Sequence, residues 1–163
     1  MSVRSCRTEG GAGCARCCID LTIDQPDIKK PAGVPCPKLV DDGHGGHLCS
    51  IYDKGRPRVC RDYRCGWVKG VLDEEDRPDK SGVIVAEAIS RKELQEAFQE
   101  IRAAGMGVWR VIPIPGANVD KDKIHRITRR LQKDGAVITE EDPGILGNNK
   151  AMRIFFRWLY GGR

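Results

Sequence analysis

Hydrophobic positions are unevenly organised along this chain. From residue 82 onward they recur at periods that name elements; before about residue 70 they do not. The run Gly82-Val83-Ile84-Val85-Ala86-Glu87-Ala88-Ile89 predicts a strand. Ser90 then opens a helix near 90–104, with Glu93 three residues on to complete a capping box. Leu94, Ala97, Phe98 and Ile101 fall on one face of it, and Gly105 ends it. Val108 to Ile114 predicts a second strand, so strand, amphipathic helix and strand imply a right-handed βαβ crossover. A second helix is expected near 120–133, with Ile124, Ile127 and Leu131 on one face and Gly135 at its end. Ala136 to Thr139 fits a third, short strand. The apolar stretch Ala151 to Tyr160 fits a terminal helix or strand docked on the sheet or on the N-terminal part.

Residues 1–70 are different text. Gly, Pro and Cys dominate, and "PAGVPCPK" and "DDGHGGHLC" read as loops. Ile19 to Ile23 is the one strand suggested there. "LDEEDRPDKSG", residues 72–82, reads as a charged linker. The expected organisation is therefore α+β. A small, irregular, metal-stabilised Cys-rich part occupies 1–70, and an α/β, βαβ-like part occupies 71–163. A segment as poor in apolar pattern as the first needs a source of stability beyond its core, and bound metal supplies one because its binding energy is folding energy.

Eight cysteines are present, and all lie in the first 65 residues: Cys6, Cys14, Cys17, Cys18, Cys36, Cys49, Cys60 and Cys65. Cysteines used only for packing would not segregate so. No run approaches the roughly 18 apolar residues of a membrane span. The opening "MSVRSCRTEGG" lacks the apolar centre of a secretory signal, so a cytoplasmic location is expected. In a reducing cytosol, clustered thiols point to metal ligation before disulfides.

Cys14-x2-Cys17 lets two sulfurs turn onto one ion. Cys18 diverges from Cys17 and is free to serve a second ion or a second edge of a cluster. Four sulfurs per ion suit zinc; four cysteines also hold an iron–sulfur cluster, where a proline following a ligand, as in Cys36-Pro37, recurs. Zinc is the expected metal and an iron–sulfur cluster the alternative.

Taken in order, "CARCC", "PCPKL", "CSIYDKGRPRVC" and "YRC" resemble the CxxCxxCC cysteine-cluster proteins, a zinc- or iron-chelating family. The resemblance covers about residues 6–70 and implies metal chelation. One position departs from the pattern: the family places a cysteine where this chain has Gly11, and Cys6 lies five residues before it. Cys6 is expected to fill that place through a longer loop. The family name also attaches to flagellin lysine methylases. No Gly-rich loop for S-adenosylmethionine is evident here, so that activity is not carried over.

Charge weakens the case for nucleic acid. The formal net charge is +5, from 28 Lys and Arg against 23 Asp and Glu. Eight thiolates holding two divalent ions would add eight negative and four positive charges and leave +1. Lys121, Lys123, Arg126, Arg129, Arg130 and Lys133 crowd the second predicted helix, but its apolar face already explains it and no aromatic residues interleave. Trp109 and Arg110 fit a core and an edge position. His44 and His47 flank Gly45-Gly46 and fit a glycine turn, with His47 the nearer to a cysteine. Asp20 and Asp24 fit the solvent side of an edge strand.

The function expected is thus metal binding through the cysteine cluster, with the C-terminal part taking an unidentified protein partner or carrying an unrecognised site. A zinc-shaped nucleic-acid module and a metal-dependent redox or methyl-transfer enzyme are the alternatives. No membrane association is expected.

Overall fold

The protein is described by a computed structural model, in residues 6, 13–43, 45–88, 95–139 and 145–160. Its architecture is α+β. It divides into two compact units, one of Met1–Ile84 with Ile114–Asn118, the other of Val85–Pro113 with Val119–Arg163.

The first unit carries short elements only. Helix α1 spans Arg16–Asp20, followed by strands β1 (Ile23–Gln25) and β2 (Ile28–Lys30), which pair antiparallel. Strands β3 (Leu39–Asp41) and β4 (His47–Cys49) form a second antiparallel hairpin, and α2 covers Arg58–Asp62. The strand expected at 19–23 is thus corrected: Ile19 and Asp20 finish a helical turn, and extended chain begins only at Ile23. The backbone N–H groups of Cys18 and Ile19 donate to the Ala15 carbonyl, which sets that turn. Asp20 pairs with Arg16 one turn back, at 2.8 Å, while Asp24 is exposed on β1 opposite Lys29.

The stretch 72–82 is a packed corner and no linker. Leu72, Asp76 and Ser81 are buried. A 3-10 turn at Glu74–Asp76 leads into helix α3 (Pro78–Ser81), which stops at Gly82 with φ +72°. Proline at the first helical position and glycine just past the last suit these sites, because proline's missing N–H costs nothing there and glycine accepts the left-handed backbone. The Ser81 hydroxyl donates to the Asp76 and Val83 carbonyls. Charge on the outward positions hid this from a reading of hydrophobicity.

From residue 83 onward the elements follow the periodic pattern closely. A four-stranded sheet has the order β5-β6-β7-β8, with β5 at Val83–Glu87, β6 at Gly107–Pro113, β7 at Gly135–Thr139 and β8 at Ile145–Gly147. Helix α4 (Gln95–Ala103) buries Ala97, Phe98 and Ile101, and helix α5 (Lys121–Asp134) buries Ile124, Ile127 and Leu131. The Asp120 carboxylate caps α5 by accepting from the Lys123 N–H at 2.6 Å. Helix α6 (Asn149–Tyr160) packs on α4 and β8, and its Ala151 belongs to one core cluster with Phe98, Ile101, Val108 and Ala136. The proposed capping pair Ser90 and Glu93, with Leu94, lies outside the described residues.

The crossover is displaced by one step. As β5 advances from Gly82 to Ala88, its partner on β6 recedes from Ile114 to Val108, so these strands run antiparallel. The parallel pair is β6 with β7, from Gly107 opposite Gly135 to Val111 opposite Thr139, with α5 between them. The βαβ unit therefore exists, but it is built on the second predicted helix. Gly135 starts β7 so close to the Gly107 carbonyl that a Cβ would overlap it.

Candidate metal centre

The eight cysteines are free thiols, and all line one cavity of about 430 Å³ in the first unit. Cys36 and Cys65 are buried and the other six are half-buried. Within this cavity the thiols influence one another as two sets. Cys6 is pushed up by Cys65 and Cys14, and Cys17 by Cys65 and Cys14, so Cys6, Cys14, Cys17 and Cys65 form the first set. Cys18 is pushed up by Cys36, Cys49 and Cys60, and Cys60 by Cys36 and Cys49, which closes the second set. A weaker influence of Cys18 on Cys6 bridges them.

Helix α1 makes the partition. Cys17 and Cys18 are consecutive in it. Consecutive helical residues point about 100° apart. Cys14 precedes the Ala15 N-cap of that helix and acts on Cys17 in its first turn. The second set is drawn in by main-chain bonds. The Cys36 N–H donates to the Cys18 carbonyl at 3.0 Å, and the Leu39 N–H donates to the Cys36 carbonyl at 2.9 Å. Leu39 in turn lies opposite Cys49 across the β3–β4 hairpin, and α2 delivers Cys60.

Cys6 stands beside Cys14, whereas Gly11 lies outside the described residues. A Cβ at Gly13 would meet the Cys6 carbonyl at 2.9 Å and the His47 carbonyl at 3.0 Å, so only glycine lets the chain approach Cys6 and β4 at once. His44 lies outside the described residues. His47 is exposed at the start of β4 and lines the cavity without belonging to either set.

Burial first, and neighbouring thiols second, push the Cys6 thiol up to about 12. Burial raises Cys14 and Cys18 to about 11. Cys17 and Cys65 share a hydrogen bond that raises Cys17 and holds Cys65 down near 7. Backbone N–H groups favour thiolate at two positions: those of Arg16 and Asp79 on Cys14, and those of Trp67 and Val68 on Cys65. Cys17 Sγ also hydrogen-bonds Tyr63 Oη at 3.7 Å. Burial, with Cys17 beside it, raises the Tyr63 phenol.

Two cations that the cysteine pattern does not reveal serve these sets. Lys30 is buried, and its Nζ donates to the carbonyls of Ile19, Leu21 and Pro31, with Cys36 and Cys18 as favourable charges nearby. Arg56 lies over the Tyr52 ring at 3.8 Å and favours thiolate at Cys6 of one set and Cys60 of the other. Arg56 stands within the motif "CSIYDKGRPRVC", where the sequence shows its place beside Cys60 but not its reach to Cys6; no motif marks Lys30.

The donor chemistry of both sets is sulfur only, which suits zinc or iron–sulfur ligation and not magnesium or calcium. Among the described residues, no three Cys, His, Asp or Glu side chains stand at ion-holding distances. Among them, too, no helix is long and apolar enough to cross a membrane.

A UPF0153 protein of Vibrio cholerae serotype O1 is 36% identical to this chain over 69 residues, 39% of this chain and 79% of that protein. No family model and no solved structure matches the chain.

Proposed function

The chain belongs to the UPF0153 family, and from that premise we propose a metal-binding protein with two four-cysteine sites. Cys6, Cys14, Cys17 and Cys65 hold one ion, and Cys18, Cys36, Cys49 and Cys60 the other. One observation carries this: adjacent thiols on α1 face different partners, dividing eight cysteines four and four. Zinc is the metal proposed, because a closed tetrahedral sulfur site is its preferred structural environment. Cys6 supplies the place that Gly11 leaves vacant in the family pattern. A bound ion would be held by the four thiolates of its set, each of which would have given up its proton.

With four sulfurs per ion no position stays open for water, so the sites are structural or metal-handling and not hydrolytic. Lys30 and Arg56 offset the negative charge that four thiolates leave around a divalent ion. Eight clustered cysteines kept as thiolate ligands require a reducing compartment, and the cytoplasm is the compartment proposed.

The test is elemental analysis with an absorption spectrum, on protein purified without air. Two zinc ions per chain and no visible band are expected. Brown protein with iron and labile sulfide would replace zinc by a cluster. Protein carrying less than one metal per chain would remove the proposal.

A further inference from the structure

Helix α1 carries two of the eight cysteines on five residues, far fewer than the roughly 12–15 at which an isolated helix is even marginal in water. Its end must be held from outside, because the last carbonyls of a helix lack helical donors. The Leu21 N–H donates to the Cys17 carbonyl, and the Cys36 N–H donates to the Cys18 carbonyl. The next carbonyl, that of Ile19, accepts from Lys30 Nζ at 2.9 Å. The same ammonium donates to the Leu21 carbonyl just past the helix, and to the Pro31 carbonyl at 3.0 Å. An ammonium has three donors and no acceptor, so its hydrogen-bonding capacity is fully used.

Lys30 reaches this place from within the fold. Strand β2 turns Ile28 and Lys30 inward, and Lys29 outward opposite Asp24. Lys30 is only 5% exposed, and lysine is almost never so buried unless it is paired. Its partners lie at the negative end of a helix, which favours a cation. We infer that Lys30 is a positioning residue for both sulfur sets: by pinning the C-terminal end of α1 to β2, it fixes the rotation of the turn that carries Cys17 and Cys18. The inference rests on the two-site reading above and adds to it what holds the dividing helix in place.

An anchor and a nearby charge predict different losses. Lys30→Met keeps the apolar stem and removes the donors. Cys17 and Cys18 share one turn, so loosening it should disturb both ions. Loss of a supporting partner costs a metal site about 10- to 100-fold. Lys30→Met should therefore release each of its two zinc ions to a chromogenic chelator about 10-fold faster than the parent. A charge serving only the second set would speed one ion and leave the other at the parent rate. Lys30→Arg, which keeps donors, should return both rates toward the parent, and Lys29→Met, on the outward side of the same strand, should leave both unchanged. Hydrogen exchange of the loaded full-length protein locates the effect: the Cys18, Ile19 and Leu21 amides should lose protection in Lys30→Met while the β3–β4 hairpin keeps its own.

One accelerated ion, or none, would overturn the inference and leave the two-site reading intact. So would protection lost equally across α1, the β3–β4 hairpin and α2, which would make Lys30 an ordinary core residue. If Lys30→Met holds no zinc, the count in Lys30→Arg decides: two ions support the anchor and fewer overturn it. A parent protein without metal removes the two-site reading, and exchange alone then tests the anchor: α1 amides no faster in Lys30→Met than in the parent would overturn it.

Discussion

Gly13 shows how a residue without chemistry can decide a site. Its missing side chain admits the Cys6 and His47 carbonyls, at 2.9 and 3.0 Å from where a Cβ would stand. Both neighbours are main chain and cannot swing aside as a flexible side chain would. Gly13→Val should therefore push Cys6 away from Cys14 and cost about 1–3 kcal/mol, the usual range for overpacking. The expected outcome is one zinc per chain instead of two, with a lower chemical-denaturation midpoint. Two zinc ions in Gly13→Val would show that Cys6 is not a ligand. Every cysteine was visible in the sequence, but their partners were not. Asp79 sits beside Cys14 across 65 positions of chain, and Arg56, though part of the "CSIYDKGRPRVC" motif, acts on Cys6 fifty positions before it. Such contacts depend on how loops close, which periodicity does not record.

Among the elements, α1 does most with least. Five residues place Cys17 and Cys18 on diverging sides of one helical turn. If that turn assigns each thiol to its own set, Cys17→Ser and Cys18→Ser should each lose one zinc. Each variant should also retain a different ion, distinguishable by the d–d and sulfur charge-transfer bands of cobalt-substituted protein. Identical cobalt spectra in the two variants would contradict the partition. Elsewhere, legibility tracked the size of the apolar face. Helix α5 was clear because Ile124, Ile127 and Leu131 recur on one side, and all three are buried. The strand order was not clear, because strand–helix–strand spells a crossover only when the two strands run parallel. β5 and β6 are antiparallel despite the helix between them, and β6 with β7 make the parallel pair. The corner at 72–82 was misjudged for a related reason: Asp76 and Ser81 are buried polar residues held by hydrogen bonds, which a hydrophobicity pattern counts as solvent-facing.

For the molecule as a whole, the buried thiols tie stability to both metal and pH. In the metal-free fold Cys6 is held near 12, and Cys14 and Cys18 near 11, against an ordinary value of 9.0. A group whose folded value is raised contributes stability below its unfolded value and loses it as pH climbs through the folded one. Cys65, held near 7, works the other way: it contributes above 9.0 and loses that contribution as pH falls toward 7. Cys17 and Cys60 are raised as well, and five raised thiols outweigh one lowered thiol, so metal-stripped protein should lose net stability between about pH 9 and 11. Loaded protein should lack that alkaline decline, because its thiols have already released their protons to make room for the ion. On the acid side the order reverses: protons compete for the sulfurs, so metal leaves and the loaded protein converges on the stripped one. Urea denaturation with and without chelator, at pH 7.5, 9 and 10.5, separates the two curves. Parallel curves across that range would mean that the thiols do not bear the metal. Hydrogen exchange adds the location of the effect: stripping should deprotect α1 and the β3–β4 hairpin, while α5 and β7, whose core contains no cysteine, keep their protection.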